Sequence, residues 1–264
     1  MRLFFSKYHG TGNDFVMIDN RRQGFVPAQA TVAALCRRRT GIGADGLILI
    51  SAHDKYDFTM RYFNADGQES TMCGNGGRCA IAFAHAQGLC GKKTRFLAVD
   101  GEHEGVIEEG LVRLKMQDVT GITPQENGYF LDTGSPHFVL FTEDVENFPV
   151  SRRGREIRNS GLFQPEGTNV NFTGIVDDST LFNRTYERGV EEETLSCGTG
   201  SVAAALVFAD TRQNVSSPVT VRTPGGTLRV SFVKKGTGHY GDIWLQGPAV
   251  HVFNGSTIIH DKNP

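Results

Sequence analysis

The chain has 264 residues, 39 % of them apolar, and 27 basic against 29 acidic side chains, for a formal net charge of −2. That length allows one large domain or two small ones, and the balanced charge excludes a general pull toward nucleic acid or a membrane surface. No apolar run approaches the roughly 18 to 20 residues of a membrane span, and the opening MRLFFSKYHGTGNDF lacks the apolar stretch and cleavage site of a secretory signal; a cytoplasmic location is expected, with no nucleic-acid and no membrane partner.

In chain order, LFFSKYH (3–9), FVMID (15–19), LILIS (47–51), DFTMRYF (57–63), RFLAV (95–99), GVIEEG (105–110) and LVRLKM (111–116) read as strands or hairpin pieces. Helices are expected over 28–39 and 78–87. The triplet Arg37-Arg38-Arg39 reads as a solvated helix end. After Pro124 the pattern returns with YFLDTG, FVLF, NVNFTGIV, LFNRTYERG, VTVRT, LRVSFV, DIWLQG and VHVF, and with helices near 150–159 and over 201–210.

Three blocks recur in the same order. Thr11-Gly12-Asn13-Asp14-Phe15-Val16 resembles Thr133-Gly134-Ser135-Pro136-His137-Phe138-Val139, an offset of 122 (Thr11 to Thr133). Gly43-Ala44-Asp45-Gly46-Leu47-Ile48 loosely resembles Gly167-Thr168-Asn169-Val170-Asn171-Phe172, an offset of 124 (Gly43 to Gly167). Cys73-Gly74-Asn75-Gly76 matches Cys197-Gly198-Thr199-Gly200, again an offset of 124 (Cys73 to Cys197). Nearly constant offsets point to a duplicated domain with its boundary near 115–124.

Five cysteines, an odd number, fit a reducing compartment better than a disulfide framework. There is no CxxC pair and no finger-like His spacing, so a structural zinc site is not expected. GNGGRC departs from the glycine spacing of a dinucleotide fingerprint, and GTGSVA lacks the Lys-Ser/Thr of a P-loop. What remains is a cysteine, twice, at the mouth of a small-residue helix. Glycine lets a ligand approach the backbone closely. A helix N-terminus carries unpaired N–H groups and positive partial charge, which suit a carboxylate or a thiolate.

A helix end contributes roughly 0.3 to 2 kcal/mol, and one pKa unit corresponds to about 1.36 kcal/mol. The dipole alone therefore moves a thiol toward neutrality without ionising it fully. One thiolate and one thiol, titrating as a coupled unit if close, is the expected resting pair. A racemase or epimerase needs such a pair, one group to remove a proton and one to deliver it to the opposite face. No lysine stands in a recognisable Schiff-base setting, so no cofactor and no metal are expected. A redox pair is the other sharp reading of Cys73 and Cys197. Cys36, Cys79 and Cys90 lack the glycine frame and are assigned to packing, with Cys79 partly accessible.

HGTGNDFVMID, GIGADGLILI, FNADGQESTMCGNGGRC, PEGTNVNF and YERGVEEETLSCGTGS together resemble the diaminopimelate epimerase family, over nearly the whole chain. Proline and hydroxyproline racemases are similar in their two-cysteine logic, but their first motif usually has histidine where this chain has Asn75. Phenazine-type isomerases of the fold lack the cysteine pair. The resemblance implies cofactor-independent conversion of LL- to meso-diaminopimelate, with Cys73 and Cys197 as the acid–base groups. It implies that the amides of Gly74 and Asn75, and of Gly198 and Thr199, grip the reacting carboxylate. Asn13, Asn64, Asn169, Glu187 and Arg188 match positions that hold the other polar groups of the substrate; Glu187 suits an ammonium and Arg188 a carboxylate. A homodimer is implied by the resemblance alone.

Two positions depart from the family pattern. Ser135 stands where many members have asparagine before Pro-His, and Gly46 where some have glutamine. A distal contact is expected to be lost at each, or bridged by water at Ser135. His137 is expected to line the pocket or to be structural. The fold expected is α/β in the mixed (α+β) sense, in two pseudo-symmetric domains, each a mixed β-sheet wrapped around a central helix. The halves are 1–117, with a returning strand within 251–264, and 118–250. The competing readings are a two-cysteine racemase of another amino acid and a non-catalytic amino-acid-binding or thiol-redox protein.

Overall fold

The structure, a computed structural model, describes residues 1–259. The chain divides into two compact units, Met1–Leu114 with Pro248–Pro264, and Lys115–Gly247. Of the expected returning strand, residues 260–264 lie outside the described part.

In the first unit, β1 (Arg2–Gly10) and β2 (Asn13–Asp19) form a hairpin through Thr11-Gly12. Helix α1 (Gln29–Cys36) leads to β3 (Gly46–Ser51), which runs parallel to β2. β4 (Phe58–Asn64) turns back antiparallel and carries the short β5 (Glu69–Ser70) on its edge. After α2 (Gly74–Ala86), β6 (Lys93–Ala98) runs parallel to β4, and β7 (Gly101–Glu108) and β8 (Leu111–Lys115) continue antiparallel.

In the second unit, β9 (Thr123–Gln125) pairs with β10 (Gly128–Asp132), which forms a hairpin with β11 (Pro136–Phe141). Then come α3 (Val150–Arg158), β12 (Asn169–Asp177) parallel to β11, β13 (Thr180–Glu187) antiparallel to β12, and the short β14 (Glu192–Thr194). Helix α4 (Gly198–Thr211) precedes β15 (Val219–Thr223), parallel to β13, and the antiparallel β16 (Gly226–Gly236) and β17 (His239–Gly247). Element by element, this is the succession of the first unit. The last strand, β18 (Val250–Ile258), pairs with β1 as β9 pairs with β10. No helix among the described residues is long and apolar enough to cross a membrane.

Burial explains the sequence patterns. GLILI of β3 is buried at every position because α1 and α2 both pack on it, which is why it reads as a continuous apolar run. Helix α2 packs against β1, β2, β3, β4, β7 and β18, and α4 against β10 to β13 and β15 to β17. Each is thus buried nearly all round, as its small apolar side chains require.

Four expectations from the sequence need correction. Both central helices begin earlier, at Gly74 and Gly198 instead of 78 and 201. Glycine costs about 1 kcal/mol in a helix relative to alanine, so the first turns read as loop. Packing overrides that cost: a Cβ on Gly77 would lie 2.8 Å from Met72 Sδ, and one on Gly200 2.4 Å from Asn171 Oδ1. Helix α1 ends at Cys36, where Arg37 turns extended. Arg38 is not simply solvated; its guanidinium bridges Asp14 and Asp45, at 2.7 Å each. Cys79 is wholly buried, not partly accessible.

Candidate active site

In the first unit, Cys73 is the residue that caps α2. Its backbone is extended, and Sγ accepts the N–H of Gly76 at 3.1 Å. The sulfur occupies the place that a Ser or Asp oxygen takes at an ordinary N-cap. Cys73 O receives the N–H of Gly77 at 2.8 Å, so the amides of Gly74 and Asn75 lie ahead of the helix's own ladder.

Below this turn runs a directional chain of side chains. Arg78 Nη2 donates to Asn75 Oδ1 (2.8 Å), Asn75 Nδ2 to Asn13 Oδ1 (3.3 Å), and Asn13 Nδ2 to Asp45 Oδ2 (2.8 Å). Asp45 is held by Arg38, as is Asp14, which also pairs with Lys7 at 2.7 Å. Burial pushes Asp14 up, but the hydrogen bonds from Arg38 and Lys7 win and hold it at about 2. Asn13 and Asn75 are therefore brought together and fixed in orientation.

Asn64 ends β4, paired in register with Gly46. The absence of a side chain at Gly46 has a local cause: a Cβ there would sit 2.5 Å from the Tyr62 ring and 2.6 Å from Phe63 O.

In the second unit, Cys197 caps α4 in the same manner, with Sγ accepting the N–H of Gly200 at 3.4 Å. The amides of Gly198 and Thr199 again lie ahead of the ladder, whose first bond is Ser201 N–H to Cys197 O at 2.9 Å. Burial raises the Cys197 pKa well above the ordinary thiol value, and the Glu187 carboxylate beside it adds to the rise. The Thr199 hydroxyl and the Gly200 amide oppose this. Cys197 is thus held as a thiol at neutral pH. Glu187 itself receives the Thr194 hydroxyl at 2.6 Å.

Asn169 Nδ2 donates to Ser135 Oγ (2.8 Å) and Pro136 O (2.9 Å), while its Oδ1 accepts the Arg188 N–H (2.9 Å). Both of its donors are occupied, so it acts as a brace between Ser135 and Arg188. Arg188 is exposed, with Nη1 on Glu166 O at 3.2 Å.

The sequence reading missed a buried polar ladder. Asn171 and Thr173 on β12 face Thr185 and Asn183 on β13 in direct register. Thr173 Oγ1 donates to Asn183 Oδ1 and Thr185 Oγ1 to Asn171 Oδ1, both at 2.9 Å. The available signal was alternation: Asn169, Asn171 and Thr173, then Asn183, Thr185 and Glu187, fall on one face of each strand. His137 is fully buried, and burial holds it at about 3, aided by the Arg188 charge. Among the described residues no group of three or more His, Cys, Asp or Glu side chains is placed to hold a metal ion.

The family model for diaminopimelate epimerase matches residues 5–113 and 129–252. The chain belongs to the diaminopimelate epimerase family. It is 47 % identical over 256 residues to the diaminopimelate epimerase of Flavobacterium psychrophilum, covering 96 % of this chain and 98 % of that one. It is 44 % identical to that of Chlorobaculum tepidum, covering 95 % and 99 %. Among solved structures, it resembles a phenazine biosynthesis protein of the PhzF family from Bacillus anthracis (TM-score 0.77, 14 % identity, 98 % and 100 % covered). It also resembles a probable proline racemase from Agrobacterium radiobacter (TM-score 0.67, 16 % identity, 99 % and 94 % covered). At those identities the likeness is one of fold. It places the chain in the mixed, sheet-dominated α/β class that diaminopimelate epimerase family members share with these neighbours.

Proposed function

We propose that the chain interconverts LL- and meso-2,6-diaminopimelate without a cofactor, using Cys73 and Cys197 as its two acid–base groups. The observation that carries this reading is the matched pair of caps: in each unit a cysteine sulfur takes the N–H of the residue three positions on, at the mouth of a buried helix. The thiolate of one cysteine removes the α-proton and becomes a thiol. The thiol of the other protonates the opposite face and becomes a thiolate. In the reverse direction the roles exchange. The burial of Cys197 and its Glu187 neighbour support Cys197 as the resting acid.

The amides of Gly74 and Asn75, and of Gly198 and Thr199, act on the reacting carboxylate as negative charge develops, the task that oriented N–H groups perform best. Arg188 suits a distal carboxylate, since a guanidinium binds both oxygens at once. Asn13, Asn64 and Asn169 complete the polar frame, Asn169 by bracing Arg188. Incubation of the purified protein with LL-diaminopimelate, with no added cofactor and with chelator present, tests the reading: meso product supports it, and unchanged substrate opposes it.

A homodimer and a cytoplasmic location belong to the same reading. Phe4, Val250, Val252, Phe253 and Ile258 on the paired strands β1 and β18 are exposed apolar side chains, a strip suited to a second copy. The five cysteines, none in a disulfide among the described residues, suit a reducing compartment. Sedimentation of the wild-type chain and of Phe253→Glu tests the dimer, which the substitution should dissociate.

A further inference from the structure

Arg78 is the largest fully buried side chain of the described residues, at 0 % exposure. Its hydrogen bonds go only to neutral groups. Nη1 donates to Gly74 O at 3.1 Å, and Nη2 to Asn75 Oδ1 at 2.8 Å and to Thr11 Oγ1 at 3.4 Å. Nε has no partner. A guanidinium taken out of water costs several kcal/mol unless an anion compensates it, and the described residues provide Arg78 with no carboxylate partner.

The groups around it narrow the choice of anion. Asp45 and Asp14 are reached only through two carboxamides and are already taken by Arg38 and Lys7. Asp100 receives the N–H of Met72, next to Cys73 in the chain, and pairs with His103 from β7. From β1, the Tyr8 ring packs edge-on against Phe83 of α2, and burial keeps its hydroxyl protonated. On α2 itself there are two thiols. Cys79 is fully buried and burial pushes it up to about 12, so it stays neutral. Cys73, half-buried at the helix mouth, is the remaining group that can carry negative charge. Burial pushes Arg78 down to about 10, with Cys79 and Cys73 opposing the fall, so Arg78 remains a cation at neutral pH.

We propose that Arg78 is a positioning residue: a fixed positive charge beneath the first turn of α2 that makes Cys73 the resting thiolate. This rests on the reading of Cys73 as an acid–base group. It assigns the asymmetry of the pair, because the equivalent position on α4, five residues after Cys197, is Val202, and Cys197 has Glu187 beside it instead. The same guanidinium also fixes the Asn75 carboxamide and, through it, that of Asn13.

The test is the pH dependence of iodoacetamide alkylation at Cys73 in the full chain, followed by peptide mass spectrometry. In the wild type the midpoint should fall below the ordinary thiol value of about 8.5. Arg78→Met should alkylate Cys73 about tenfold more slowly at pH 7, equivalent to a rise of about one pKa unit, and Arg78→Lys should recover most of the rate. A wild-type midpoint at or above the ordinary value overturns the proposal without any variant. So does a folded Arg78→Met protein with an unshifted midpoint. Neither result depends on turnover, whereas the acid–base reading of Cys73 fails separately if Cys73→Ala still epimerises.

Discussion

His137 Nε2 lies 2.9 Å from Thr199 Oγ1. Asn171 Oδ1 accepts from Thr185, so Asn171 Nδ2 faces His137 Nδ1, at 2.9 Å. The neutral imidazole therefore carries its proton on Nε2 and gives it to Thr199. The Thr199 hydroxyl proton is left for Cys197 Sγ, 3.4 Å away. A buried ladder on β12 and β13 thus orients one hydroxyl toward the Cys197 sulfur.

Thr199→Val keeps the shape and the backbone amide but removes that donor. A hydrogen bond to a charged group contributes about 1.5 to 3 kcal/mol, so kcat should fall about ten- to a hundredfold, with KM little changed. Steady-state kinetics checks this, and an unaltered kcat would refute the role of the hydroxyl.

Glu187→Gln removes the negative charge beside Cys197. The thiol should ionise more readily, so alkylation of Cys197 at pH 8 should accelerate while epimerisation slows. Site-resolved alkylation kinetics decides it; slower alkylation would mean that Glu187 does not hold the proton in place.

The buried His137 makes the fold sensitive to acid. Its pKa is about 3 in the folded chain against an ordinary 6.5, so between these values the unfolded chain binds the extra proton. The stabilisation is complete above pH 6.5 and is lost as pH falls toward 3, at about 1.4 kcal/mol per unit. About 2 kcal/mol should disappear between pH 6.5 and 5. Asp14, ordinarily at 3.8 and lowered to about 2, stabilises above that range and gives way only in stronger acid. Denaturant titrations of wild type and His137→Gln should therefore differ in slope with pH, with the variant flatter.

Gly200→Ala places a methyl 2.4 Å from Asn171 Oδ1 and should destabilise the protein by about 1 to 3 kcal/mol. Gly121→Ala, where nothing lies within 4 Å, should change stability by less than about 0.5 kcal/mol. Thermal melts of the two variants make the comparison.

The cysteines, their glycine frames and the repeated blocks were legible in the sequence because chemistry and chain reversal leave local marks. The helix starts were not, since Gly74 to Gly77 and Gly198 to Gly200 read as loop until the side chains above them, Met72, Leu114 and Asn171, are known. The local partners of Asn169 and Glu187 were not legible either: Ser135 and the Arg188 N–H for one and the neighbouring Cys197 for the other are set by how the turns after β10, β13 and β14 fold back. Arg78 carried no mark in the sequence beyond its place at the expected helix start. Only the wrapping of β-strands around α2 buries it.

The most direct test of the two-thiol account is deuterium incorporation from solvent at the α-carbon of diaminopimelate, measured from both LL and meso substrates with wild type, Cys73→Ala and Cys197→Ala. The account predicts rapid incorporation by the wild type in both directions and a loss of at least about a hundredfold in each variant. Either alanine variant that converts one isomer into the other within about tenfold of the wild-type rate would contradict it.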